Sequence, residues 1–458
     1  MVAAAFSVLL ILAVGSYMVN LRAAQLLRNS GERLRAVAHY HGLYGFLIVG
    51  LPILAGLLVW LLIKGEVIQW LVVRAIDPIH LTDLTTGERQ LALAEIRSVA
   101  GGRIFGEPAP WILEAASHLN RFNDSVANAL VPVTAGIALI LAFVARRRVG
   151  TEFHAREKSE RIVMLLMILC ATVAVMATAG IIASLLFESI RFFTQVPLTE
   201  FLFGLRWEPQ IPLREDQIAA EGAFGWIPVI VGTLLVMTVA ILFAVPVGLF
   251  SAIYLNEFAS RQARAVAKPV LEILAGVPTV VYGFFAVLVI APAFRSTGST
   301  LGIDIAPNTA LAAGGVMGIM LIPFISSFAD DALNAVPADL RNGALALGAT
   351  RAEAMLQVLF PAALPGIAGG ILLAVSRAIG ETMIVVMAAG LIARLTFNPL
   401  DSVTTVTVQI VTLLIGDTSF DNPKTLAAFA LGLMLFIVTL AINVYALRIV
   451  RKYREVYE

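Results

Sequence analysis

The chain has 458 residues, of which 59% are hydrophobic and 14% charged, with a formal net charge of +1. A soluble domain carries about 25% charge, so a chain this poor in charge belongs in lipid, and its near-neutral balance argues against a nucleic-acid partner. A single cysteine, Cys170, excludes an internal disulfide framework and a cysteine-based metal cluster.

Taken in chain order, uncharged runs of about 20 residues predict nine membrane-spanning helices. The first three are Val2 to Val19, Leu43 to Ile63 and Val126 to Ala145; then come Ile162 to Phe187, Ile227 to Leu255 and Ile273 to Phe294. The last three are Asn308 to Ala329, Ile367 to Ile392 and Thr425 to Leu447. The first run has no basic residue before it and no clear small-residue cleavage site after it, so it reads as a retained span rather than a leader. Between the second and third spans lies a polar segment, Lys64 to Ser125, in which Val67 to Ile76 with Trp70 reads as an interfacial helix. Its His80 and His118 read as solvated loop histidines. Val403 to Leu414 is apolar but too short to span, and reads as a lid or re-entrant piece. The chain thus divides into an N-terminal module, residues 1–160, with three spans and an extracytoplasmic segment (64–125), and a six-helix part, residues 161–458.

Basic residues orient the spans. Arg22, Arg28, Arg33 and Arg35 follow the first; Arg146, Arg147, Arg148, Arg156, Lys158 and Arg161 follow the third. Arg261, Arg264 and Lys268 follow the fifth, and Arg448, Arg451, Lys452 and Arg454 follow the ninth. If the nine spans alternate, all four clusters share one side, which is then cytoplasmic. The loop after the fourth span is mainly acidic, with Glu188, Glu200, Glu208, Glu215, Asp216 and Glu221 against Arg191, Arg206 and Arg214. The expectation is an N-terminus outside and a C-terminus inside.

Two features carry chemistry. Arg377 and Glu381 stand one helical turn apart inside the eighth run, where an ionisable group costs several kcal/mol and marks a transport pathway or a paired site. Arg377 has the permanent charge and forked donors that suit an oxyanion; Glu381 can balance it when the anion is absent, and Ser376 and Thr382 can add hydroxyls. By themselves these residues fit a solute contact and a structural ion pair equally. The second feature is a cytoplasmic loop, 330–365, in which Pro337 or Asp339 can start one short helix, Gly348 can end it, and a second helix runs from Arg351 to Phe360 before Pro361. Two short helices joined at a glycine form either a knob for a soluble partner's groove or a connector lying on the bilayer. Thr233, Thr279 and Tyr282 can line the route but more naturally bond their own backbone, and Glu257 and Glu272 read as helix-end residues. No Gly-x-x-x-x-Gly-Lys-Ser/Thr run or His-Glu-x-x-His occurs in the chain and no Ser/His/Asp arrangement stands out, so it cannot cradle ATP by a P-loop. The expectation is a transport subunit with no cofactor in this chain and ATP hydrolysis in a separate subunit.

Asn342-Gly343-Ala344, then Gly348, then Val358-Leu359-Phe360-Pro361 resembles the EAA loop of ABC-importer permeases, departing from it at Asn342, Gly343 and Phe360. Ser376-Arg377-Ala378-Ile379-Gly380-Glu381-Thr382-Met383 resembles the PstC-type permease subunit of phosphate ABC importers. So do Gly225-Trp226-Ile227-Pro228, Gly232-Thr233, Ala252 to Glu257 and Leu274 to Gly283. The likeness covers about residues 161–450 and leaves the N-terminal third as an added module. It implies an all-α polytopic membrane protein, a six-helix type I ABC permease core preceded by three extra transmembrane helices, in a bacterial cytoplasmic (inner) membrane. It further implies phosphate import by alternating access, with a pathway at Arg377, Glu381, Thr382 and Ser376 and an ATPase-coupling loop at Asn342, Gly343, Ala344, Gly348 and Pro361. The implied partners are a second, PstA-like permease, two copies of an ATPase subunit that binds ATP-Mg, a periplasmic phosphate-binding protein and membrane lipid. The rival readings are a permease for molybdate or sulfate, an ion-driven secondary transporter and a membrane-embedded enzyme. The Arg377 run, the docking loop and the lack of clustered catalytic residues weigh against them in that order.

Overall fold

The computed structural model describes residues 2–76, 86–103, 108–209, 222–415 and 422–453. His80, Arg214, Glu215, Asp216, Glu221 and Arg454 lie outside them. The chain separates into two compact units, residues 1–176 and 177–458. Among the described residues nine helices are long and apolar enough to cross a membrane. That is the count expected from the apolar runs, because a backbone in lipid must satisfy its own hydrogen bonds.

In the first unit, α1 (Val2–Asn29), α2 (Ala38–Ala75) and α4 (Pro110–Arg147) pack through small and branched side chains: Ala5, Leu9 and Ala13 against Val49, Ile53, Leu57 and Ala138. A second apolar cluster joins the far end of α2 (Ile68, Val72) to α3 (Thr86–Ala100) through Ile96 and to the start of α4 through Ile112, Ala115 and Ala116. Val67 to Ile76 is therefore not a separate interfacial helix. It continues α2 without a break, because its apolar face is covered by α3 and α4, and Arg74 lies 4.0 Å over the Trp70 ring. At the opposite end, Arg148 donates to the Tyr44 hydroxyl at 2.7 Å, and Arg35 meets His154 at 2.9 Å. Helix α5 (Ala155–Gln195) runs from this unit into the next, with Cys170 exposed on its surface.

The second unit continues with α6 (Leu198–Phe203) and a two-residue hairpin of β1 (Trp207–Glu208) and β2 (Ala223–Phe224), Trp207 opposite Phe224. Helix α7 (Ile227–Ile253) ends in a π-helical turn (Tyr254–Phe258), and α8 (Arg261–Ala275) follows, capped by the Ser260 hydroxyl. The sixth span starts later than its apolar run: α9 (Thr279–Phe285), a π-helical turn (Ala286–Ile290) and α10 (Ala291–Thr300) form it. Ile273 belongs to amphipathic α8, because Gly276 and Pro278 interrupt the helix. Helix α11 (Ala310–Asn334) is the most buried span. Its Ala310, Ala313, Met317 and Leu321 pack on Val236, Ala240 and Ala244 of α7, and a Cβ at Gly314 would press on Val239.

Beyond α11 come α12 (Ala338–Ala346), a glycine turn and α13 (Arg351–Ala354), which leads through a π-helical turn (Met355–Leu359) into α14 (Phe360–Ile379). The expected loop 330–365 thus contracts. Asp330 lies in the last turns of α11, and the second short helix does not stop at Pro361, which sits just past the π-helical turn inside a continuous helical run. The eighth span is Arg351–Ile379 rather than Ile367 to Ile392. After a break come α15 (Met383–Ala388), the buried short helix α16 (Val406–Leu414) and the last span, α17 (Pro423–Tyr453).

Candidate substrate pathway and coupling loop

Helix α14 ends at Ile379, so Arg377 and Glu381 do not share a helical face. The break at Gly380–Thr382 is held by side chains. Glu381 Oε1 accepts from the amides of Met383 (3.1 Å) and Ile384 (3.4 Å), and the Thr407 hydroxyl donates to the Glu381 carbonyl at 2.8 Å. The glutamate expected to neutralise Arg377 instead satisfies the first amides of α15, which have no helical partners of their own. Among the described residues no carboxylate pairs with Arg377. Its guanidinium is exposed at the end of α14, with Cζ 5.7 Å from the Phe324 ring centroid of α11. Ser376 and Thr382 are half-buried on either side of it in sequence; Thr382 makes a long 3.4 Å bond to the Gly380 carbonyl.

A network of hydroxyls and amides braces this break from behind. Thr233 donates to its own helix at Val229 (2.8 Å) and accepts the Val406 amide at 3.0 Å, so it joins α7 to α16. Gln409, fully inside, accepts from the Trp207 indole N–H at 2.8 Å and donates to the Leu391 carbonyl (2.8 Å) and the Thr404 hydroxyl (3.0 Å). Tyr282 donates to the Leu274 carbonyl at 2.7 Å. These groups are spoken for, as buried polar groups must be.

The loop residues occupy a different place. Measured along the 29 residues of Arg351–Ile379, roughly 40 Å of helix separates the start of that span from Arg377. Helix α12 has no buried residue; Asn342 and Gly343 are exposed and Ala344 half-buried. Gly348, at φ +91°, turns the chain between α12 and α13, and Leu347 beside it is 92% exposed. The Thr350 hydroxyl and the Glu353 carboxylate form a capping box that starts α13.

Sequence reasoning missed a third cluster. Asp330, whose side chain is 7% exposed, is held by Arg264 (3.1 and 3.2 Å), Lys268 (2.9 Å) and Asn256 (2.8 Å). Glu257, read as a helix-end residue, instead pairs with Arg341 at 3.0 Å. The signal available was Arg264 and Lys268 at i,i+4 on an amphipathic run, with Asp330 closing an apolar one.

Two families match the chain. Residues 5–177 match one described as a phosphate ATP-binding cassette transporter, and residues 244–455 match one described as a binding-protein-dependent transport system inner membrane component. The N-terminal third, which stood apart from the resemblance, thus has a family match of its own. A probable ABC transporter permease protein of Bacillus subtilis is 32% identical over 59% of this chain and 84% of its own length. A phosphate transport system permease protein PstC of Mesorhizobium japonicum is 33% identical over 48% of this chain and 71% of its own. A solved bacterial alginate ABC transporter chain aligns over 66% of this chain and 99% of its own at 16% identity and a TM-score of 0.45, too low to carry an argument.

Proposed function

The chain belongs to the PstC family of permease subunits, membrane components of phosphate ABC importers, and on that premise we propose which residues meet the anion and which meet the ATPase. As a multi-pass inner-membrane permease it works with an ATPase and a substrate-binding protein. We place Arg377 on the phosphate pathway. The observation that carries this reading is a guanidinium that has no carboxylate partner among the described residues, exposed at a helix break, while the nearby glutamate is occupied by backbone amides. Such a group can exchange water for phosphate oxygens and still release them, as conduction requires. Ser376 and Thr382 then add hydroxyl donors, and Glu381 keeps the break in shape rather than neutralising the arginine.

The remaining assignments follow the same reading. Helix α12 and the turn at Gly348 dock into an ATPase subunit that binds ATP-Mg, two copies serving this permease and a PstA-like second permease. The end of the second unit with Arg264, Lys268 and Asp330 faces the cytoplasm, and the N-terminus lies outside. A phosphate-loaded binding protein delivers to the opposite face, and ATPase closure moves the helices between outward and inward access.

Phosphate uptake by the reconstituted complex tests the arginine. Loss of one charge-assisted bond is worth about 1.5–3 kcal/mol, so Arg377→Gln should slow uptake by about 10- to 150-fold with assembly intact, and Arg377→Lys less. Glu381→Gln, which keeps an oxygen for the α15 amides, should stay within a few-fold of the unaltered protein. Normal uptake in Arg377→Gln, or equal losses in Arg377→Gln and Glu381→Gln, would reject the pathway role in favour of a structural pair.

A further inference from the structure

The buried carboxylate of Asp330 belongs neither to the Arg377 site nor to the docking knob, yet three side chains bond it. Taking a carboxylate out of water costs several kcal/mol unless its oxygens are met, and here three donors from two elements meet them. Arg264 and Lys268, one turn apart on α8, bind it at 3.1 and 2.9 Å. The third donor is Asn256, in the π-helical turn that ends α7. π-helical turns concentrate at functional positions, because the extra residue turns side chains out of helical register.

Asn256 does more than bind Asp330. Its amide nitrogen donates to Asp330 Oδ1 at 2.8 Å and to Asn334 Oδ1 at 2.9 Å, and its amide oxygen accepts from Arg341 Nη2 at 3.3 Å. An asparagine side chain offers two N–H donors and one carbonyl, and all three groups are engaged. Arg341 belongs to α12, and its second partner is Glu257, the residue after Asn256. Among the described residues this hydrogen bond and this ion pair tie α12, which buries none of its residues, to the body of the unit. On its other side Asn256 holds the last turns of α11. Six residues back along α11, about 9 Å, stands Phe324 beneath Arg377.

We infer that Asn256 is the positioning residue through which movement of α12 reaches α11 and, with it, the surroundings of Arg377. Arg341 and Glu257 form the pin on the α12 side, and Asp330, clamped by Arg264 and Lys268, forms the anchor on the α11 side. A π-helical turn suits the junction because its side chains reach two elements that a regular α7 end would not join. This rests on the reading of α12 and Gly348 as the ATPase-docking knob.

The experiment uses the complete complex, both permeases with the ATPase and the phosphate-binding protein, in liposomes. It measures ATP hydrolysis with and without phosphate-loaded binding protein, and phosphate uptake. Asn256→Leu removes all three bonds; its basal hydrolysis should stay within two-fold of the unaltered complex while stimulation by the loaded binding protein and uptake fall at least ten-fold. Asn256→Asp keeps the acceptor for Arg341 but puts a second carboxylate against Asp330, and should lose stimulation as fully. Arg341→Glu should behave alike, and combining it with Glu257→Arg should restore at least a third of the stimulation. A role in stability alone would lower basal and stimulated hydrolysis together. Wild-type stimulation in Asn256→Leu, a proportionate loss of both rates, or no rescue in the exchanged pair overturns the inference. The exchanged pair decides alone if the Asn256 variants fail to assemble. A photo-crosslinker on Ala344→Cys separates the two readings. If it does not capture the ATPase in the otherwise unaltered complex, the docking reading fails; if it does while Asn256→Leu remains fully stimulated, only this inference fails.

Discussion

Gly348 can be perturbed with a magnitude worked from its backbone. The residue sits at φ +91° between α12 and α13, and no atom lies within 4 Å of where a Cβ would stand. A substitution therefore meets no collision inside the chain, and its cost is the dihedral alone. For an L-residue the left-handed region costs about 1–2 kcal/mol, less for asparagine, whose short polar side chain tolerates it, and more for a β-branched residue. Because α12 buries no residue, little packing holds the turn against that cost. The native turn should then be populated about 5- to 30-fold less in Gly348→Ala. The assay is phosphate imported per ATP hydrolysed by the reconstituted complex, which should fall in the order Gly, Asn, Ala, Val. A Gly348→Val complex with the unaltered ratio would refute the reasoning. Equal losses in Gly348→Asn and Gly348→Ala would also refute it, since they would place the damage in an added side chain meeting the ATPase rather than in the dihedral.

Other substitutions probe the frame around Arg377. A Cβ at Gly232 would run into the Thr404 carbonyl, so Gly232→Leu should destabilise the solubilised complex by about 1–3 kcal/mol or more; an unchanged melting temperature would count against this packing. Gln409→Leu strands the buried Trp207 indole N–H, at about 1–3 kcal/mol, and removes the bond to the Leu391 carbonyl. Adding Trp207→Phe should recover the indole's share, and a double variant less stable than Gln409→Leu alone would contradict the assigned bond.

The eighth span was misread, and the pairing of Arg264 and Lys268 went unread, for separate reasons. Ile367 to Ile392 looks like a single span because Gly380-Glu381-Thr382 is only a short polar insertion between apolar runs. What stops the helix is the Glu381 carboxylate turning back to the Met383 and Ile384 amides, with Thr407 holding the carbonyl, and a hydropathy window registers neither. Arg264 and Lys268 read as markers of membrane side because charge counts ignore direction; on folded α8 they point at one carboxylate. The turn at Gly348 was legible, since a glycine between two short amphipathic runs has few other uses.

Residence in lipid, the number of spans and kinship with phosphate permeases follow from the order of residues alone, because a bilayer demands unbroken apolar runs and a family keeps its local motifs. Which charges pair was decided only by tertiary structure. Asp330 finds its donors 62 to 74 residues away, on elements whose local sequences carry no record of one another. Glu381 deserts Arg377 for a backbone that only the fold leaves without partners. Electrostatic partners are chosen by distance in space, and no local pattern encodes the closure that brings α11 and α12 to a single asparagine at the end of α7.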